Sequence, residues 1–335
     1  MFEIYNRRYT GSKYKLSKWI KEMIEEHCVG NSFMDIFSGT GVVVDTMLPY
    51  FDNVIINDIL FSNEIIYKAF FLQQDYHVDV IENFANDFRS LECDNLKENY
   101  VSENFGGKFF NHNDAKIIGF IREKIEKSKG HLSEKEYSIL IASLLYSLDR
   151  CANTVGHYDA YIKGKDILPR FQFKIVAPRS LPQKTIEIYR EDSNELVRHI
   201  RADVCYIDPP YNSRQYSRFY HILENITKWE KPELFGTALK PNPENMSEYC
   251  RHTAPNAFSD LINELDCKYI VVSYNNTYNS KSNSSRNKIE LDFITEVLSN
   301  KGTTKVFEKA HQFFNAGKTN FADHKEMLFI TKVGD

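Results

Sequence analysis

The sequence lacks most of the features that mark a specialised class. It has no Cys-x-x-Cys pair, since its six cysteines (Cys28, Cys93, Cys151, Cys205, Cys250 and Cys267) are scattered. That spacing argues against a structural zinc site and a disulfide framework, and fits reduced thiols in cytosol. The ten histidines contain no His-x-x-x-His pair, and no metal is expected. No apolar run is long enough to cross a bilayer, and Met1 opens an acidic and polar stretch rather than a secretory leader. A cytoplasmic protein is therefore expected. Internal repeats, low-complexity tracts and proline-rich linkers are missing as well. There is also no excess of positive charge: 42 Lys and Arg face 46 Asp and Glu, a net charge of −4. A nonspecific nucleic-acid binder would be basic.

What is present is an ordinary globular composition, 42% hydrophobic over 335 residues. That length can bury one large domain and a smaller one. The charge is unevenly spread. Asp75 to Glu103 is mostly acidic, with Asp79, Glu82, Asp87, Glu92, Asp94 and Glu98 inside it. Lys163, Lys165, Arg170, Lys174, Arg179, Lys184 and Arg190 follow one another with few acids between, and Arg198, Arg201, Arg214 and Arg218 flank residue 208. Such polarity would steer a polyanion to one face. For any single lysine, a solvated surface explains it equally well.

The most informative stretch is Asp208-Pro209-Pro210-Tyr211, at the end of the apolar run Val204-Cys205-Tyr206-Ile207. An apolar run that stops at an acid and two prolines predicts a buried strand ending in a rigid turn. The prolines donate no N–H, so carbonyls there stay open to a ligand, and the tyrosine offers a flat plate beside the carboxylate. A planar amino-heterocycle would suit that set. The competing reading is a proline turn whose Asp merely caps the strand.

A second motif is Ser32 to Gly41, an apolar strand ending at Asp35 followed by Ile36-Phe37-Ser38-Gly39-Thr40-Gly41 and the helical Val42–Leu48. Glycines at 39 and 41 let a ligand approach the backbone closely, although the full dinucleotide fingerprint is not there. Asn53 to Asp58 predicts another strand ending in an acid, about 20 residues on, where an acid commonly meets ribose hydroxyls.

Asp-Pro-Pro-Tyr resembles the catalytic motif of amino-methyltransferases acting on DNA bases. The Gly39/Gly41 turn with Asp35 resembles their loop for S-adenosylmethionine (SAM). Arg8-Tyr9-Thr10-Gly11-Ser12-Lys13 resembles the N-terminal motif of the Dam-like, D12-class adenine methyltransferases. The order of motifs resembles the alpha arrangement, and Asn212 to Tyr216 is similar to forms in type II and IIS restriction–modification enzymes. This resemblance implies a SAM-dependent adenine N6-methyltransferase acting on double-stranded DNA, with a cognate endonuclease as a possible partner. It implies Asp208, Pro209, Pro210 and Tyr211 as catalytic residues. Tyr9, Lys13, Asp35, Phe37, Gly39, Gly41, Asp58, Asp192 and Asp208 would hold the cofactor. Lys163, Lys165, Arg170, Lys174, Arg214 and Arg218 are the candidate DNA contacts. Methylation of cytosine N4, of RNA or of protein amides, and an inactive DNA-binding module, remain as alternatives.

The expected fold is α/β: a mostly parallel, Rossmann-like sheet ending in an antiparallel hairpin, with a mainly helical target-recognition insertion. Residues 1–62 and 185–335 would form the catalytic domain and 63–184 the insertion. Periodicity predicts helices over Ser17–His27, Glu64–Phe71, Val78–Phe88, Asn113–Lys127, Glu134–Ser147, Tyr216–Lys228 and Phe258–Leu265. It predicts strands over Thr185–Tyr189 and Tyr269–Tyr274, and a final pair near Thr303–Phe313 and Glu326–Lys332. Ser133 with Glu136 reads as a capping box. Pro232–Pro255 and the polar Asn275–Lys288 are expected to be loops.

Overall fold

A computed structural model describes residues 1–164, 166–276, 286–310 and 324–334. The chain divides into two compact units. One, built on a sheet, gathers residues 11–59, 183–216 and 245–335; the other, helical, gathers 1–10, 60–182 and 217–244. The helical unit therefore extends beyond the expected insertion at 63–184 and takes in residues 1–10 and 217–244 as well.

The sheet has seven strands: β1 (Ser32–Asp35), β2 (Asn53–Asn57), β3 (Thr185–Tyr189), β4 (Arg201–Ile207), β5 (Asp266–Asn275), β6 (Gly302–Ala310) and β7 (Lys325–Val333). Their spatial order is β3-β2-β1-β4-β5-β7-β6. The pairs among β1 to β5 are parallel, and β7 is antiparallel to both β5 and β6. The expected mostly parallel sheet closed by an antiparallel pair is what forms. The described part of the last pair reaches Ala310, and Phe313 lies outside the described residues, as do 277–285 of the expected polar loop.

Alternation along β1 and β4 splits the core between the two faces of the sheet. Phe33 sets its ring 5.3 Å from Phe51 and 6.5 Å from Tyr206 on one side. Met34, Cys205, Ile270 and Phe329 join a second cluster with Phe258, Leu261, Ile262 and Leu298. The last four come from helices Ala254–Glu264 and Leu291–Ser299. Pro255 sits in the first turn of its helix, where its missing N–H costs nothing. The expected loop therefore stops at Thr253.

In the helical unit, Glu134–Cys151 is buried almost all round, as the central helix of a bundle must be. It packs against Phe61–Phe71, Val78–Arg89, His112–Ser128 and His221–Lys228. Two of its three serines bond the main chain of a neighbouring segment: Ser143 Oγ accepts from Val176 N and Ser147 Oγ from Lys174 N. They hold an irregular segment with little regular structure of its own, in which Val176 bridges to Phe2. The predicted helix over Tyr216–Lys228 is instead two, Tyr216–Phe219 and His221–Lys228. Tyr220 leaves helical geometry between them because its ring stacks on Tyr9 at 4.6 Å and its hydroxyl accepts from Thr10 N at 2.8 Å.

Candidate active site

β1 and β4 are neighbours in the sheet, and the chain connections run in opposite directions from them, so their carboxyl ends flank a topological switch point. Asp35 is the last residue of β1, and Asp208 follows directly on β4. The register pairs Asp35 with Tyr206, which sets the two acids at the same edge.

Four side chains meet there. Lys13 Nζ lies 2.9 Å from Asp208 Oδ1 and 3.0 Å from Glu326 Oε1, and it donates to Tyr211 Oη at 2.8 Å. The three protons of the ammonium thus have three acceptors. Tyr211 Oη lies 2.6 Å from Asp208 Oδ1 and 2.8 Å from Glu326 Oε1, and its single proton serves one of them at a time. Ser273 Oγ, on β5, donates to Glu326 Oε1 at 2.9 Å. The Tyr211 ring rests 4.5 Å from Tyr274. The Asp208 side chain is 16% exposed, against 7% for Lys13 and 4% for Glu326, so among the three charged groups Asp208 is the most open to a ligand.

Burial works against the Lys13 ammonium, but the carboxylates of Asp208 and Glu326 more than offset it and raise its pKa. Burial lifts Asp208 above the usual carboxylate range; Lys13 pulls it back and the Glu326 charge pushes it up again. Glu326 is buried too, yet Lys13, Tyr211 and Ser273 hold it below its ordinary value. Burial, with the charges of Asp208 and Asp58, raises Asp35 well above its ordinary value.

The glycine turn is built for close approach. Gly39 and Gly41 have φ of 52° and 75°, a left-handed geometry that glycine tolerates best. Gly39 N donates to Asp58 Oδ2 at 2.9 Å, which ties the acid after β2 to the turn after β1. Asp35 Oδ1 is buried without a hydrogen-bond partner among the described residues. A buried carboxylate oxygen left in that state is costly unless a ligand satisfies it.

The remaining sequence candidates have the following surroundings. Phe37 sets its ring edge on Tyr249 at 5.0 Å. Asp192 caps helix Ser193–Leu196 by accepting from Asn194 N, the ordinary role of an Asp in that place. Tyr9 belongs to the helical unit, stacked on Tyr220 with the Arg7 guanidinium 4.9 Å from its ring. Lys163 and Lys174 are exposed in that unit, and Lys165 lies outside the described residues. Arg170 is also there, but its guanidinium bonds the Cys151 and Ala152 carbonyls, and Arg218 bonds the Pro241 carbonyl at 2.6 Å. Arg214 is half-buried in the sheet unit. Among the described residues there is no helix long and apolar enough to cross a membrane, and no cluster of His, Cys, Asp and Glu that would hold a metal.

Sequence reasoning missed Glu326, Ser273 and Tyr274. An acid at the start of the apolar run Met327-Leu328-Phe329-Ile330 reads as a polar strand end. Only the antiparallel register, with Glu326 opposite Asn275, turns it towards Lys13.

Type II methyltransferase M.FokI of Planomicrobium okeanokoites is 31% identical over 361 residues, which take in 97% of this chain and 52% of that protein. Type II methyltransferase M.NlaIII of Neisseria lactamica is 28% identical, with 95% of each chain covered. Type II methyltransferase M.CviAII of Paramecium bursaria Chlorella virus 1 is 30% identical, covering 97% of this chain and 98% of that one. Against M.FokI and the modification methylases LlaI and StsI, the chain spans about half of the relative's length, 52%, 46% and 44%. Residues 9–289 match the family described as D12 class N6 adenine-specific DNA methyltransferase, and the chain belongs to that family.

Proposed function

We propose that this chain moves the methyl group of SAM to the exocyclic N6 of an adenine in double-stranded DNA. It would act at one short sequence, as the modification component of a restriction–modification system with a cognate endonuclease. The observation that carries the reading is the state of Asp208. Its Oδ1 lies 2.9 Å from Lys13 Nζ and 2.6 Å from Tyr211 Oη, and its side chain keeps 16% of its surface exposed. One carboxylate oxygen is thus anchored, and the other is assigned here to the incoming amine.

The residues present suit SAM. The unpartnered Asp35 Oδ1 wants a hydrogen-bond donor, the Gly39–Gly41 turn admits a ligand to the backbone, and Asp58 lies where ribose hydroxyls are held in related folds. Asp35, Phe37, Gly39, Gly41 and Asp58 would hold it, with Tyr9, Lys13 and Asp192 as further candidates. When bound, it supplies a methyl group on a good sulfonium leaving group, so no covalent enzyme intermediate is needed.

The chain's own work is to bind and orient. The N6 lone pair is delocalised into the adenine ring, which makes the amine a poor nucleophile. Asp208 Oδ2 and the Pro209 carbonyl accept its two hydrogens and favour a pyramidal nitrogen. Most of the acceleration then comes from alignment and charge placement. Extruding the base from the duplex costs a few kcal/mol. Stacking on the Tyr211 ring offsets part of that. The exposed Lys163 and Lys174 are proposed to meet DNA phosphates, with the helical unit as the target-recognition part.

The test is transfer of labelled methyl from SAM to unmethylated genomic DNA, read by nucleoside mass spectrometry and single-molecule sequencing. N6-methyladenine in one recurring context is expected. N4-methylcytosine would overturn the base assignment. Bound SAM with no modified DNA would overturn DNA as the substrate.

A further inference from the structure

We infer that Glu326 is a positioning residue of the methyl-transfer site: it holds the Lys13 ammonium and the Tyr211 hydroxyl on the same oxygen of Asp208, leaving the other oxygen for the amine. This rests on the function proposed above. The matched family region ends at residue 289, so Glu326 lies outside it, on β7 of the C-terminal antiparallel pair. The chain therefore completes its site from a strand that the family match does not reach.

The geometry leaves Glu326 little other role. Its Oε1 has three donors in reach: Lys13 Nζ at 3.0 Å, Ser273 Oγ at 2.9 Å and, at 2.8 Å, Tyr211 Oη, whose one proton it shares with Asp208 Oδ1. Two of these donors are the groups that also bind Asp208 Oδ1. A buried carboxylate of this kind is expensive to keep, and its burial is tolerable because a cation and two hydroxyls surround it. A purely structural strand would fill the same place with an apolar side chain at less cost. The consequence is geometric. Without Glu326, Lys13 can swing wholly onto Asp208 and bridge both of its oxygens, closing the one the substrate needs.

The charge has a second effect. The groups facing Glu326 are Lys13 from the N-terminal segment, Asp208 and Tyr211 from the turn after β4, Tyr206 from β4 and Ser273 from β5; Asp35 stands behind Asp208. The negative charge of Glu326 raises the pKa of both Asp208 and Lys13. Removing it lowers both.

The decisive variant is Glu326→Gln, nearly isosteric and uncharged. Single-turnover and steady-state methyl transfer should show kcat reduced about tenfold with the KM for SAM within about threefold. Both limbs of the pH–kcat profile should move to lower pH. In parallel, carboxyl-carbon NMR, with the Asp208 signal assigned by its loss in Asp208→Asn, should show a lower Asp208 titration midpoint. That last readout does not require turnover. Wild-type protein that methylates no DNA would overturn the functional reading, and an unmoved Asp208 midpoint would overturn the role of Glu326 on its own. An active wild type with kcat and pH limbs unchanged in the variant would also overturn it. If Glu326→Gln loses its native circular-dichroism spectrum, Ser273→Ala decides. It keeps every charge and removes one donor to Glu326, so kcat should fall a few-fold, and an unchanged kcat would refute the proposal.

Discussion

Tyr211 and Asp35 show how much a single side chain carries at this site. The Tyr211 hydroxyl accepts from Lys13 and reaches both Asp208 and Glu326, so it acts as the hinge of the cluster. Tyr211→Phe keeps the ring and removes that hinge. A fall in kcat of about tenfold is expected, the scale of one hydrogen bond to a charged group. Equal kcat in steady-state assays would show that only the ring matters. Asp35 has the opposite problem, a buried oxygen without a partner. Because its folded-state pKa is raised, the stability it contributes is full below its unfolded value and is lost as pH rises through the folded one. The ligand-free protein should therefore lose thermal stability with rising pH across that window, and Asp35→Asn should flatten the slope while weakening SAM binding. Parallel melting curves with and without SAM check both. At this scale the sequence was readable where a motif concentrates chemistry, at Asp35, Gly39, Asp58 and Asp208 to Tyr211. It was unreadable at Glu326, because burial of an acid is a property of register and partners that no local pattern encodes.

Elements were legible where one force dominated. The helix Ser17–His27 and the strand Thr185–Tyr189 have the boundaries their patterns predict. The capping box at Ser133 forms, and Glu136 serves twice, its Oε2 accepting from Ser133 N and its Oε1 from His77 N. Ser133→Ala should cost about 1 kcal/mol, the usual value of a cap, seen as a lower midpoint in urea unfolding. Patterns failed where a distant residue decided. The helix broken at Tyr220 is one case; the short helix Tyr100–Phe105 was missed for a local reason, because its N-cap Asn99 sits inside a stretch that reads only as acidic. At the start of the sheet, Asp203 Oδ2 accepts from Asn31 N at 2.6 Å and Ser32 N at 3.1 Å, and a Cβ on Gly30 would lie 2.3 Å from the Cβ of Asp203. Gly30→Ala should therefore push β1 and β4 apart and destabilise the fold by about 1–3 kcal/mol. An unchanged unfolding midpoint would mean that the loop relaxes freely.

For the whole molecule, the net charge of −4 conceals a division of labour. Lys163 and Lys174 are exposed in the helical unit, whereas Arg170 is committed to main-chain carbonyls. Replacing both lysines by alanine should weaken binding to all DNA sequences alike and reduce the salt dependence by about two counterions. Arg170→Ala should lower thermal stability as well. Affinity measured over a salt series separates these outcomes. The sequence suggested an inserted helical lobe, but not that the first ten residues and 217–244 would join it, because such membership is set by packing between distant segments. The chain crosses between its two units five times. A ribosome delivers residues in order, and domains commonly fold as they emerge. Here neither unit can close early. The helical one waits for residue 244, and Lys13 stays without Glu326 until β7 has left the exit tunnel. Nascent chains that stop short of β7 should therefore carry no partial methyl-transfer activity, and competence should arrive in a single step with the strand that brings Glu326.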